Sequence, residues 1–107
     1  MDRVVAARQR IDKWLWHARV VRTRTAAAEL ANTGHVRING ARVEAASAAV
    51  RVGDVVTVAL AGGVRVLKVH GFAARRGSSQ EAQRLYVDLR PGNTAAGRSL
   101  ANETPMR

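Results

Sequence analysis

The hydrophobic period of this chain changes from 3.6 to 2 near Gly34, and that change limits the fold more than any other feature. Before it, Ile11, Trp14, Leu15, Ala18 and Arg22 follow the i, i+3, i+4, i+7 rule and mark one stripe of a helix over residues 10–21. Arg10, Lys13 and His17 lie on one flank of the stripe, and Asp12, Trp16 and Arg19 on the other side. The segment Arg22-Thr23-Arg24-Thr25 breaks the pattern, and either threonine can cap a second, alanine-rich helix over 24–32. Gly34 supplies a left-handed stop. After it the period is two: Val36 and Ile38 alternate with His35, Arg37 and Asn39, and Asn39-Gly40 is the strongest short hairpin signal in the chain.

A return strand over 41–44 follows. Gly53-Asp54 then turns into a strand over 55–60, and Gly62-Gly63 into another over 64–69. The alternation slips near Leu67, which predicts a bulge or a strand covered on both faces. Ser78-Ser79-Gln80-Glu81 is a capping box that opens a third helix, with Ala82, Leu85, Tyr86 and Leu89 as its stripe and Arg90-Pro91-Gly92 as its end. The predicted architecture is α+β: two N-terminal helices packed on a small, mostly antiparallel sheet, plus a short C-terminal helix. One domain is expected over 10–90 (core about 10–70, extension 71–90), after a tail over 1–9 and before a flexible tail over 91–107.

Charge supplies the functional signal. Lys and Arg number 18 against 8 Asp and Glu, a formal charge of +10, and all but Lys13 and Lys68 are arginine, the cation suited to forked phosphate contacts. Nine of these cations fall in residues 1–43 against three acids. A basic N-terminal half of this kind is the footprint of a polyanion partner, since so large an excess on a small body costs self-repulsion that solubility alone does not require. Arg10, Lys13, Arg22, Arg24, Arg37 and Asn39 are expected on one contiguous surface, with Thr23 and Thr25 adding hydroxyls at the amino end of the second helix, where N–H groups favour phosphate. About five cations there imply a log–log salt slope of roughly −3.5 to −4.5.

Other classes find little support. With no cysteine there is no disulfide framework, thiolate metal site or cysteine nucleophile. His17, His35 and His70 lie on different elements, so no metal or cofactor is expected; His17 or His35 touching phosphate is weighed against a solvated side chain, and the solvated reading is favoured. Asp12, Glu29, Glu44, Asp54, Glu81 and Asp88 are scattered one per element, Asp12 being expected to pair with a neighbouring arginine, and no catalytic constellation is seen. The chain is therefore read as a non-enzyme. Trp14 and Trp16, both in the basic helix, are either a base-stacking platform or packing residues, Trp14 at the core edge and Trp16 against Phe72, Tyr86 or the third helix. No apolar run reaches a membrane span and the first residues are too charged for a secretion signal, so a cytoplasmic protein is expected.

Arg10-Ile11-Asp12-Lys13-Trp14-Leu15-Trp16, Arg19, Arg22-Thr23-Arg24-Thr25-Ala26, Gly34-His35-Val36, Asn39-Gly40 and Val52-Gly53-Asp54 together resemble the S4 RNA-binding domain family. The likeness extends through Ala74-Arg75-Arg76, Glu81-Ala82 and Leu85-Tyr86 to its small, ribosome-associated bacterial heat-shock subgroup. The resemblance implies a fold of the αL type, with RNA held along the helices and the following strand. Carried over by position, the RNA-contacting candidates are Arg10, Lys13, Arg19, Arg22, Thr23, Arg24 and Arg37, to which the hairpin adds Asn39.

The resemblance also implies ribosomal RNA as partner, on a large subunit carrying a nascent chain on tRNA, in ribosome recycling, quality control or heat-shock response. Non-specific binding of single-stranded DNA, no membrane partner and a monomer complete the expectation. Two alternatives stand beside it. A DNA-binding helix-turn-helix is suggested by Thr25-Ala26-Ala27-Ala28-Glu29-Leu30, although residues 35–69 read as strands. The other is a stand-alone relative of the RNA-recognition domain of an rRNA-modifying synthase; the synthase itself would need a separate catalytic domain for which 107 residues leave no room.

Overall fold

The computed structural model describes residues 8–89. In it the chain turns at Asn39 and Gly40 with both residues at positive φ (53° and 84°), the two-residue turn whose twist matches paired strands. That turn joins β2 (Val36–Ile38) to β3 (Ala41–Arg42). β5 (Val55–Leu60) pairs with β2 on one side and with β6 (Gly63–Val69) on the other, and β7 (Tyr86–Asp88) closes the far edge. The five strands lie in the order β3-β2-β5-β6-β7, each pair antiparallel. A separate two-stranded ribbon joins β1 (Arg8–Arg10) to β4 (Ala49–Arg51).

Asn39 does more than turn the chain. Its N–H donates to the Val55 carbonyl at 2.7 Å and its Oδ1 accepts from the Val55 N–H at 2.9 Å. Its Nδ2 donates to Asp54 Oδ1 at 3.0 Å, so the hairpin tip is tied to the Gly53–Asp54 turn.

Two helices cover one face of the sheet. α1 (Ile11–His17) and α2 (Arg24–Asn32) bury Ile11, Trp14, Leu15, Ala27 and Ala31 against Val36, Val56, Val58, Leu67 and Val69. Alanines at the helix contact let the two backbones approach closely, and each fully buried large side chain contributes about 1.5–3 kcal/mol by leaving water. Trp14 is wholly buried, and its indole N–H donates to the Gly71 carbonyl at 3.0 Å. The first N–H groups of α1 are satisfied from outside the helix, Ile11 N–H by the Ala48 carbonyl and Asp12 N–H by that of Ala46.

α2 has the predicted bounds, capped by Thr23 Oγ1 accepting from the Ala26 N–H at 3.0 Å. Gly34, at φ 84°, ends it with the paired His35-to-Leu30 and Gly34-to-Ala31 backbone bonds of a Schellman turn. α1 is shorter than its periodicity predicts. It stops at His17 because Arg19 takes the left-handed conformation (φ 61°), with its N–H on the Trp16 carbonyl and the Val20 N–H on that of Leu15. A side chain in that conformation costs about 1 kcal/mol relative to glycine. Arg19 Nε donates to the Gly77 carbonyl at 2.8 Å, and Arg76 Nε donates to the Trp16 carbonyl at 3.1 Å, so two arginines clamp this helix end to the segment before α3 (Ser79–Ala82).

Other expectations change as well. Arg8 and Gln9, assigned to a tail, form β1, and the return strand after the hairpin is only two residues long. No bulge interrupts β6: its register with β5 is continuous, and Arg65 takes a core-side position because Asp88 Oδ2 (3.1 Å) and the Tyr86 hydroxyl (3.4 Å) satisfy it. The capping box opens α3 as expected, but a 3₁₀ turn over Gln83–Leu85 follows and Tyr86 is extended. The exposed edge of β6 accounts for this, since pairing Val69 with Tyr86 and Leu67 with Asp88 satisfies backbone groups that a longer helix would leave open. The expected tails over 1–7 and 91–107, and Arg90, lie outside the described residues.

Replacing Asn39 by Ala removes a side chain tolerant of left-handed φ and leaves the Val55 N–H without its acceptor. The expected loss is about 2–3 kcal/mol, read as a lowered urea midpoint at unchanged slope, with Asn39→Gly losing less.

Candidate nucleic-acid interface

The candidate interface is built around a buried acid. Asp12, in the first turn of α1, is 2% exposed, and a carboxylate so placed must be paired. Arg10 answers it with a fork, Nε to Oδ1 and Nη2 to Oδ2, both 3.1 Å. Arg24, the first residue of α2, brings its Nε within 3.6 Å of Oδ2, and the Lys13 N–H donates to Oδ1 at 2.7 Å. The side chains of Arg10 and Arg24 nevertheless stay 50% and 43% exposed. One carboxylate thus fixes the stems of two arginines from two elements and leaves their outer N–H edges to solvent. Holding them in advance reduces the side-chain entropy that binding an anion would otherwise cost. Three cations, Arg10, Lys13 and Arg24, against one acid leave this corner positive, beside the first turn of α2.

The remaining predicted residues divide. Arg22 is exposed just ahead of α2 and makes no ion pair or hydrogen bond among the described residues; Thr23 caps the helix beside it. Arg19 sits at the opposite end of α1 with its Nε committed to Gly77. Arg37 leaves the sheet on the face away from the helices, because its neighbours Val36 and Ile38 pack toward them. Its Nη1 donates to the Gly40 carbonyl at 3.1 Å, and across the hairpin it faces Arg42, an exposed arginine that the sequence pattern does not single out. Asn39 has both its amide groups engaged within the fold. The structure therefore gathers Arg10, Lys13 and Arg24 at one corner, with Arg22 next in chain to Thr23 and Arg24, and sets Arg37 and Asn39 apart from them.

Trp14 offers no stacking face, being wholly buried; Trp16 is partly exposed, its ring 5.3 Å from that of His17. His17 is a correction: it is 1% exposed rather than solvated, with Nδ1 bonded to the Ala73 carbonyl at 3.1 Å. It borders a pocket of about 230 Å³ between α1 and the segment leading to α3, lined also by Arg75, Gly77, Glu81 and Leu85. Burial pushes the His17 imidazole below its ordinary 6.5; Lys13 and Arg24 act in the same direction, and the Ala73 carbonyl opposes them. Among the described residues no group of three or more His, Asp or Glu could hold a metal ion, and no helix is long and apolar enough to cross a membrane.

The helix pair, the Asp12 corner and the first strands of the antiparallel sheet fall within residues 9–56, which match the S4 domain. The small ribosomal subunit protein uS4 of Rhodopseudomonas palustris is 46% identical over 50 residues, 47% of this chain and 24% of the relative. Heat shock protein 15 of Escherichia coli is 35% identical over 83 residues, 78% of this chain and 62% of that protein. Its Haemophilus influenzae homologue is 34% identical over 79 residues, 74% of this chain and 60% of the relative, so the chain spans about three-fifths of the length of these two. A solved structure, described as the trimeric structure of Vibrio cholerae heat shock protein 15, superposes with a TM-score of 0.70 at 32% identity, covering 76% of this chain and 81% of that one. The chain belongs to the heat shock protein 15 family.

The unfolded chain takes up a proton at His17 below about pH 6.5 that the folded protein resists, so the stability involved is complete above that pH and is lost as pH falls. Urea midpoints are expected to fall from about pH 7.5 to about pH 5.5, and to fall less in His17→Asn, which keeps a donor for Ala73.

Proposed function

We infer that this protein binds RNA through the Asp12-centred corner, with ribosomal RNA as its partner. The observation that carries this reading is the pair of half-exposed guanidinium groups, Arg10 and Arg24, held by one buried carboxylate beside Lys13 and the first turn of α2. Such a grip suits phosphates along a backbone and reads no base edges, so affinity should depend strongly on salt and weakly on sequence. Membership of the heat shock protein 15 family and similarity to a ribosomal protein support a ribosomal location for the RNA.

The finer reading is a large ribosomal subunit carrying a nascent chain on tRNA, in ribosome recycling, quality control or heat-shock response. The acting unit is a cytoplasmic monomer that binds rather than catalyses and takes single-stranded DNA only non-specifically. The helix-turn-helix alternative is not favoured, because α2 runs through its glycine stop directly into the strands of an antiparallel sheet.

In filter binding with a structured RNA, Arg24→Glu and Lys13→Glu should each weaken binding by roughly tenfold or more at about 0.1 M salt; unchanged affinity in both defeats the reading. Sedimentation of a cell lysate should place the protein with free large subunits, and its presence only with unbound protein would remove the ribosomal partner. Light scattering after gel filtration should give the monomer mass. Three times that mass, matching the trimer described for the Vibrio cholerae protein, overturns the monomer.

A further inference from the structure

β1 and β4 form a ribbon whose cross-strand pairs are Arg8 with Arg51, Gln9 with Val50 and Arg10 with Ala49. Its inner face is settled by Val50, fully buried, and by Gln9, whose Nε2 donates to the Ala73 carbonyl at 3.0 Å. Alternation therefore puts Arg8, Arg10 and Arg51 on the outer face, and all three are exposed. The Ile11 N–H to Ala48 carbonyl bond lies one position beyond Arg10–Ala49, which makes 8/51 a non-hydrogen-bonded pair. In such pairs the side chains stand closest, with Cα atoms about 4.5 Å apart, and like charges placed so are destabilising.

Among the described residues Arg8 and Arg51 have no acidic partner to neutralise the pair. The acid nearest in sequence to Arg51 is Asp54, whose Oδ2 accepts from the Arg51 N–H and whose Oδ1 accepts from Asn39. Asp12 is committed to Arg10 and Arg24. A repulsive arginine pair that continues into the anion-gripping corner is what an external anion would relieve.

We propose that Arg8 and Arg51 form a second phosphate subsite, extending the grip on the RNA backbone from the Asp12 corner along the β1–β4 ribbon. This rests on the RNA-binding reading above. Arg8 and Arg10 stand two strand residues apart, about 6.6 Å, a spacing that lets them take successive phosphates of one strand. The subsite lengthens the footprint without adding base recognition, so it acts on affinity and salt dependence alone.

The test compares the full-length protein with Arg8→Ala/Arg51→Ala and with Arg51→Glu, using one structured RNA oligonucleotide across a salt series. The double variant should lose about tenfold in affinity at about 0.1 M salt, and its log–log salt slope should shrink by about 1.5. Without RNA at low salt it should melt at the same temperature as the wild type or higher, because the repulsion is gone. Arg51→Glu should melt higher still, with Arg8 now facing an acid, while binding RNA more weakly. If both variants keep the wild-type affinity and slope while Arg24→Glu loses binding, this inference is overturned and the RNA-binding reading stands. If the wild type itself does not bind the RNA, both are overturned.

Discussion

The buried carboxylate of Asp12 is the interaction on which this structure most depends. An isolated ionised acid in that position would cost several kcal/mol, so its partners are obligatory. They come from three places: Arg10 at the end of β1, the Lys13 N–H in α1 and Arg24 at the start of α2. Meeting the demand of one side chain brings ribbon, first helix and second helix to a common corner. It also leaves two guanidinium groups anchored at one edge and open at the other. The electrostatic requirement that stabilises the helix pair thus also shapes the candidate anion site.

Arginine serves two unlike purposes here, and only contacts separate them. Arg76 caps the Trp16 carbonyl, Arg19 reaches Gly77, and Arg65 stands on the core side of the sheet between Asp88 and the Tyr86 ring, its guanidinium 5.5 Å from the ring centroid. Burial opposes the charged form of the Arg65 guanidinium, but the hydrogen bonds it donates to the Tyr86 hydroxyl and the Asp88 carboxylate outweigh it. These side chains are structural ties whose fork of N–H groups suits carbonyls and carboxylates as well as phosphates. A positive count on the whole chain therefore overstates any candidate interface, which has to be read from the arginines left partly or wholly unspent.

Besides the Arg19 and Arg76 clamp, the segment after β6 is joined to β1 and α1 through its own main-chain carbonyls. Trp14 donates to Gly71, and Gln9 and His17 converge on Ala73. All three side chains belong to β1 and α1, whereas their acceptors lie beyond the residues matched as the S4 domain. The extension is consequently integrated with the domain that precedes it. The same contacts fix His17 in a buried setting beside the pocket, a role that a histidine in a basic helix does not announce.

Features with local causes were legible in the sequence. The bounds of α2 follow from Thr23 and Gly34, the hairpin from Asn39-Gly40, β5 from its apolar run after the Gly53-Asp54 turn, and the start of α3 from its capping box. Each is settled by hydrogen bonds and dihedral preferences within a few residues. Tertiary structure decided what depends on distant partners. It ended α1 at His17 through Arg19 and Arg76, paired β1 with β4 across some forty residues, turned Tyr86–Asp88 into an edge strand, and set Arg37 on the far face of the sheet. Composition shows how much positive charge the chain carries; only long-range pairing, by satisfying some of those groups inside the fold, determines which of them remain to meet a ligand.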